Sequence, residues 1–475
     1  MLLKYFYDKK LAQASYMVGC QAKGEAVIVD PARDIAPYLE AAEAEGLEIV
    51  GALETHIHAD YVSGVREMAE RLNATLYLSD EGDENWKYGY LDGLPHQLVK
   101  DGDSFTLGNL TFEVMHTPGH TPESISFLLT DGGAQADEPI GIFTGDFVFA
   151  GDIGRPDLLE KAAGIEGTSL AGAYEMFDSL ERFKLLPDFL QVWPAHGAGS
   201  ACGKSLGAVP SSTTGYEKRF NWALQYADKE QFARDLIDGQ PEPPSYFAVM
   251  KHVNKVGPAL VKELAPPEEL TDAAEVKASI DKGMQVIDTR DYTQFAAGHL
   301  PGTINIPFGG SFPNWAGWLV DYDRPLVLLV GEGQSLQEII TALQSVGIDT
   351  AEAVMQAETA LAQSAENESF PEIEPEQAAE EMKKDHVAVL DVRNLSEYNE
   401  ANIAGAQHLM LGTLPERLNE VPTGQTILVH CGSGLRSAIA CSVLQANGIK
   451  DVVNLAGGYN AWAERVRPQT AASSS

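Results

Sequence analysis

A chain of 475 residues with 69 acidic and 33 basic side chains has a formal net charge of −36 and is not built to hold nucleic acid, whose phosphates it would repel. Its 44% hydrophobic and 21% charged content fits an ordinary globular protein, and its length fits about three domains. No run is apolar enough to span a bilayer, and the N-terminus shows no signal-peptide core. The cysteines (Cys20, Cys202, Cys431 and Cys441) form neither a C-x-x-C nor a disulfide framework, so the expectation is a reducing cytoplasm and no membrane partner.

From the N-terminus, short apolar runs that read as strands ("EAVIVD", "EIVGALET", "TLYLS", "LTFEVMHT", "SISFLLT", "PIGIFTGD", "FLQVWPAH") alternate with amphipathic stretches that read as helices ("IAPYLEAAEAEG", "YVSGVREMAERLN", "LAGAYEMFDSLERF"). This mixture predicts a layered α/β domain. "GQPEPPSY" and "ELAPPEEL" close it, and "ENESFPEIEPEQ" is a further linker of the same Pro- and Glu-rich kind. The predicted domains are 1–260, 265–365 and 370–470.

The second and third parts repeat each other. Val286 aligns with Val389, Asp288 with Asp391, Arg290 with Arg393, Phe295 with Tyr398 and Gly302 with Gly405, all at one offset. Each copy reads strand, Asp-x-Arg, helix, Gly turn, and later a buried strand ("PLVLLVG" or "QTILVHC") followed by a helix, the pattern of a small parallel α/β domain.

In the first part, histidines and aspartates recur just beyond strand ends: His56, His58, Asp60, His116, His120, Asp146, Asp152 and His196. If the backbone stays extended after "EIVGALET", His56 and His58 face the same side and look into one cavity. The strings "THIHADYVSG", "HTPGHTPES", "FTGD" and "PAHGAGSACGK" resemble the metallo-β-lactamase superfamily over residues 1 to about 245. That resemblance implies an αββα sandwich with metal at one edge. In the dinuclear hydrolases of that superfamily, such as glyoxalase II, Asp60, a ligand at position 61 and His196 would hold a second zinc. Position 61 is a tyrosine here, and a protonated phenol is a poor ligand, so the second site is expected to be damaged.

"FTGD…GDIGRPDL" with "PAHGAGSACGK" resembles the mononuclear persulfide dioxygenase branch. The resemblance implies His56, His120 and Asp146 as ligands of one Fe(II) per chain, with His58, Asp60 and His196 as groups that orient them. Two imidazoles and a carboxylate suit non-haem iron, and three protein ligands also suit catalytic zinc, so the residues alone leave the metal open. Arg155 is the candidate clamp for a carboxylate or phosphate on the carrier thiol, or else a structural salt bridge. Cys202 reads either as a sulfane-sulfur acceptor or as a small buried residue, and Cys20 as structural.

In the third part, "ILVHCGSGLRSAIACSVLQANG" ends a buried strand at His430 and opens a loop headed by Cys431, with a helix expected near Ser437. Loop N–H groups, the helix N-terminus and Arg436 would all favour a thiolate or persulfide anion at Cys431. With "VLDVR" and "NLAGGYNAWAE", the segment resembles rhodaneses over residues 373–466. Only four residues separate Cys431 from Arg436, a smaller cradle than the H-C-x₅-R loop of phosphatases. The second part has the same scaffold without cysteine. Val330 or Gly331 stands at the nucleophile position, and a catalytically dead copy is expected.

The expected chain is thus α/β: a metallo-β-lactamase sandwich followed by two rhodanese-like parallel-sheet domains. Its expected partners are a small persulfide, O2, and sulfite or thiosulfate, in a homo-oligomer (dimer or tetramer). The alternatives are a dinuclear-zinc thioester hydrolase fused to a sulfurtransferase, and a sulfur-relay protein with a vestigial metal site.

Overall fold

The structure, a computed structural model, describes residues 1–158, 160, 167–204 and 206–466, and the chain divides into two compact units, the first built on residues 1–264 with 343–347 and the second on residues 265–342 and from 348 onward.

The first unit contains two six-stranded sheets. In sheet I, β1 (Leu2–Asp8), β2 (Gln13–Cys20), β3 (Glu25–Val29), β4 (Glu48–Leu53), β5 (Thr75–Ser79) and β6 (His96–Val99) lie in sequence order. The first three are antiparallel neighbours, and β3 to β6 run parallel. Sheet II contains β7 (Ser104–Leu107), β8 (Leu110–His116), β9 (Ile125–Asp131), β10 (Gly141–Gly145), β11 (Gln191–Pro194) and β12 (Ser212–Thr213), with β10 and β11 its one parallel pair.

Apolar residues from both sheets, among them Val18, Val27, Leu53, Phe112, Phe127 and Phe143, make the central core. The outer face of sheet I is covered by α1 (Ala36–Glu45) and α2 (Val65–Leu72). These present Tyr38 and Ala42, and Val65, Met68 and Ala69, at helical spacing. The outer face of sheet II is covered by α3 (Thr168–Lys184) through Ala173, Met176, Leu180 and Phe183. Helix, sheet, sheet, helix is the αββα sandwich that the resemblance implies.

All seven strand segments read from the sequence of this unit are strands. The β1–β2 hairpin was not legible: β1 is part-buried on both sides of an exposed Tyr5, and β2 is buried on both faces although it reads "QASYMVGC", so neither alternates.

The second unit holds two five-stranded, all-parallel sheets of the same topology. One has the order β13-β17-β16-β14-β15 (β13 Glu268–Glu269, β14 Gln285–Asp288, β15 Ile304–Asn305, β16 Leu326–Val330, β17 Ala351–Gln356). The other has the order β18-β22-β21-β19-β20 (β18 Glu372–Ile373, β19 Val387–Asp391, β20 Gln407–His408, β21 Thr426–His430, β22 Val452–Leu455). The Asp-x-Arg pairs lock the turn after β14 and β19 in the same way. Each guanidinium grips its own aspartate at 2.6 Å and also takes a backbone carbonyl eight residues on, Gly298 or Ala401.

Candidate functional site

In the first unit, the C-terminal ends of strands from both sheets converge. Asp146 follows β10 directly, and His196 lies two residues past β11, its parallel neighbour. His56 lies three residues past β4, and His120 sits in the β8–β9 loop. Gly145 has φ +52°, and a Cβ there would collide with the Thr55 side chain, so only glycine lets the end of β10 approach the His56 segment this closely.

The donor atoms of His56, His120 and Asp146 all lie within 4.8 Å of one another, and all three residues are buried. Asp146 Oδ2 is 3.5 Å from His120 Nε2 and 3.9 Å from His56 Nε2. The remaining ring nitrogens fix the tautomers. His56 Nδ1 donates to Thr55 Oγ1, whose own proton goes to Asp30 Oδ2, and His120 Nδ1 donates to the Arg155 carbonyl at 2.9 Å. The Nε2 lone pairs therefore point at a carboxylate. Burial and the neighbouring histidines hold His56 well below its ordinary value, and burial lowers His120 against the pull of Asp146, so both rings are neutral. His56 Nε2 and both Asp146 oxygens have no hydrogen-bond partner. Buried acceptors facing one another with no proton between them make a cradle that a cation satisfies, and the donor set fits one.

Of the expected orienting groups, Asp60 and His196 adjoin Asp146: His196 Nε2 is 3.1 Å from Asp60 Oδ2 and 3.4 Å from Asp146 Oδ1. His58 packs its ring against His56, with centroids 4.2 Å apart, but does not join the donor cluster. β4 ends at Leu53, so the extended spacing assumed for the two histidines does not hold, and His58 Nε2 turns instead to Asp30 Oδ1 at 3.2 Å. Burial opposes charge on this ring, but Asp30, Glu54 and Asp60 outweigh it and push His58 up to about 9. His116 and Asp152 stay outside the cluster, His116 Nε2 on the Pro122 carbonyl and Asp152 Oδ1 on the Trp222 indole N–H.

Tyr61 is buried against His58, donates to the Asp30 carbonyl, and is held well above its ordinary value by burial and Asp30, so it remains a neutral phenol. Cys202 stands with Asp60 and His196 in a second group whose donor atoms also lie within 4.8 Å of one another.

Arg155 is not a substrate clamp. Its side chain is fully buried, grips Asp157 through two 2.7 Å bonds, and also donates to the Ala201 and Pro241 carbonyls. Removing one partner of such a pair costs about 3–5 kcal/mol. Arg155 acts on the site through its backbone, its carbonyl orienting His120 and its N–H bonding the Cys202 carbonyl.

Sequence reasoning missed Asp30 and Thr55. Asp30 carries the same signal as Asp146, an acid just past a buried strand, here the end of "EAVIVD".

In the second unit, Cys431 follows β21 at the head of its loop, fully buried. Gly434 N–H donates to its sulfur at 3.1 Å and Ser437 Oγ–H at 3.4 Å. Gly434, at φ +104°, caps α4 (Leu435–Ala446), which begins two residues before the expected Ser437. Arg436 also reaches the sulfur, and both its terminal nitrogens are held by Glu397 at 2.7 Å. His430 is neutral, held down to about 4 by burial against the pull of Asp391. Cys441 is fully buried inside α4.

In the other copy the strand register settles the nucleophile position. Asp391 pairs with His430 and Asp288 with Leu329, so Val330, not Gly331, corresponds to Cys431.

Residues 9–196 match the Metallo-beta-lactamase superfamily, and residues 272–355 and 374–465 match the Rhodanese-like domain. A hydroxyacylglutathione hydrolase from Acaryochloris marina is 31% identical over 229 residues, which cover 48% of this chain and 78% of that protein. A solved structure described as a metallo-beta-lactamase from Staphylococcus aureus is 46% identical with a TM-score of 0.68, covering 75% of this chain and 99% of that one. The crystal structure of ETHE1 from Myxococcus xanthus is 26% identical with a TM-score of 0.43, covering 54% of this chain and 98% of that one. A buried His-His-Asp cluster at the strand ends of an αββα sandwich, followed by two repeated parallel-sheet domains, agrees with these matches: the chain belongs to the metallo-β-lactamase superfamily and carries two rhodanese-like domains behind that fold.

Proposed function

We propose that the chain is a bifunctional enzyme of persulfide detoxification. The first unit oxidises a low-molecular-weight persulfide, RSSH + O2 + H2O giving RSH and sulfurous acid. The second transfers sulfane sulfur through Cys431. The observation that carries this reading is the buried two-imidazole, one-carboxylate donor set of His56, His120 and Asp146 in the same chain as a cysteine loop fitted for sulfur.

Fe(II), one per chain, would be held by these three residues and supplies, when bound, a redox-active cation with open positions for sulfur and oxygen chemistry. Thr55 and the Arg155 carbonyl keep both imidazoles presenting Nε2. With Asp146 the one charged ligand, a divalent ion held here would keep one net positive charge and so favour an anionic sulfur substrate, and the burial of His56, His120 and Asp146 limits competing water.

At Cys431, the Gly434 N–H, the Ser437 hydroxyl and Arg436 stabilise negative charge on the sulfur. A Cys431 persulfide attacked by sulfite yields thiosulfate and leaves the thiolate, so the product of one reaction is a substrate of the other. Joining both on one chain raises the local concentration of that intermediate. Oxygen uptake with several persulfides, measured after anaerobic iron loading, tests the first activity, and thiosulfate formation tests the second.

A second reading, a thioester hydrolase with two zinc ions, is favoured by the donor group of Asp60, His196 and Cys202 and by the similarity to hydroxyacylglutathione hydrolases. It predicts thioester cleavage without oxygen uptake.

A further inference from the structure

We propose that Glu397 is an internal competitor for sulfur oxyanions: its carboxylate occupies the anion-binding face of Arg436, so the Cys431 loop holds thiosulfate and sulfite weakly and lets thiosulfate leave. This rests on the sulfur-transfer reading of Cys431 given above and adds to it a residue that sets substrate preference.

Three observations support it. The first is the geometry of the pair. Arg436 Nη1 donates to Glu397 Oε2 and Nη2 to Oε1, both at 2.7 Å. A guanidinium takes a tetrahedral oxyanion through the same two-pronged face. The same guanidinium reaches the Cys431 sulfur, beside which the oxygens of a bound thiosulfate have to lie. An oxyanion that is to use this fork finds a carboxylate already in it.

The second is that the carboxylate is anchored and meets solvent. Glu397 Oε2 also accepts the Asn394 N–H at 3.0 Å, part of a capping box on the short helix Leu395–Glu400. Burial opposes charge on Glu397, but Arg436 outweighs it and holds the group below its ordinary value, so it competes as an ion. Cys431 is fully buried, whereas the Arg436 and Glu397 side chains are 22% and 34% exposed. Arg436 thus runs from the buried sulfur to a carboxylate within reach of solvent. Glycine at 432 leaves the pair its room: a Cβ there would stand 3.1 Å from Arg436 Nη2.

The third is that the pair accompanies the thiol. The copy without cysteine carries Gln294 and Ser335 at these two positions, although it keeps the Asp-x-Arg lock.

The charges fit. Arg393 is likewise matched, by Asp391, and His430 is neutral, so these groups offer a dianion no surplus positive charge. In the transfer step the sulfite electron pair forms the new S–S bond, and the pair of the old bond returns to Cys431 as thiolate. Thiosulfate then departs as a dianion, and a loop that holds dianions weakly releases it.

The test uses the full-length protein with Glu397→Gln, which keeps the length of the side chain, can still close the capping box and is the residue of the other copy. In sulfur transfer to an acceptor thiol, the KM for thiosulfate should fall at least about fivefold more than the KM for the persulfide of 2-mercaptoethanol, which carries no oxyanion. Calorimetry with sulfate, an unreactive dianion, should show a gain in affinity in Glu397→Gln and in Glu397→Ala. Adding Arg436→Gln should remove that gain, because Glu397 acts through the guanidinium. Persulfide turnover by Glu397→Gln shows that the variant is folded. An unchanged or higher KM for thiosulfate, equal falls for both donors, or a gain in sulfate affinity that survives Arg436→Gln overturns the proposal. Transfer that persists in Cys431→Ser would refute the sulfur-transfer reading instead, and the sulfate measurement needs no turnover, so it judges Glu397 separately.

Discussion

The two rhodanese-like copies share strand order and the Asp-x-Arg lock, yet they finish the loop after the central strand in opposite ways. In one copy the loop runs Cys431, Gly432, Ser433, Gly434, and the next residue, Leu435, is apolar, so the Gly434 N–H is free to meet the Cys431 sulfur. In the other, Val330, Gly331, Glu332 and Gly333 trace the same turn, with Gly333 also left-handed at φ +79°. There Gln334 stands where Leu435 does. Its amide oxygen accepts the Gly331 N–H at 2.8 Å and the Thr289 hydroxyl at 2.6 Å, and its nitrogen donates to the Thr289 carbonyl. The loop is closed on its own side chain. Arg436 and its partner Glu397 are replaced together by Ser335 and Gln294, and His430 by Leu329. The missing thiol is therefore one of several matched differences: the copy without cysteine satisfies its loop donors with its own side chain.

The sharpest way to break this comparison is a cysteine exchange. Cys431→Ser should lower sulfur transfer by at least about a thousandfold while oxygen uptake persists, and Val330→Cys added to it should restore none. Thiosulfate-dependent sulfur transfer to an acceptor thiol measures both. Recovery with Val330→Cys would show that the Gln334 plug and the missing arginine are unimportant.

Acid stability distinguishes the copies next. His430 is held down to about 4 from an ordinary 6.5, so the unfolded chain takes up the proton first as pH falls. The stability associated with the neutral ring is whole above pH 6.5 and is lost progressively toward pH 4. His430→Leu, which copies Leu329, should remove this loss. The gap in unfolding free energy between parent and variant should move toward the variant by about 3 kcal/mol across that window, followed by denaturant titration at several pH values.

Arg436→Gln should reduce transfer by about a hundredfold with the fold intact, because it removes the charge nearest the sulfur. Gln334→Ala should leave transfer unchanged and destabilise its copy by about 1 kcal/mol, since it orphans the Gly331 N–H, whereas the Thr289 hydroxyl keeps the Leu329 carbonyl and the Thr289 carbonyl keeps the Phe308 N–H.

Much of this was legible in the sequence because strand-end chemistry is local. Asp146, His120 and His56 are each marked by an apolar run or a Gly-Pro turn, and the Cys431 loop by its own spacing. What the sequence hid depends on tertiary partners. His58 faces Asp30 rather than the metal donors because the backbone leaves the extended state after Leu53. Arg155 carries the charge of a clamp, but its match is Asp157, two residues away and equally buried. Cys202 lies far from Asp60 along the chain, and only the folded arrangement of the strand-end loops brings its sulfur close to Asp60 and His196.

The central claim is that His56, His120 and Asp146 hold a ferrous ion that oxidises persulfide. It is tested most directly by anaerobic reconstitution with iron, followed by metal content and oxygen uptake in the parent and in His120→Ala. The predicted result is one iron per chain and persulfide-dependent uptake of one O2 per sulfite, both lost in His120→Ala. Two zinc ions per chain, with thioester hydrolysis and no oxygen uptake under any persulfide, would contradict it.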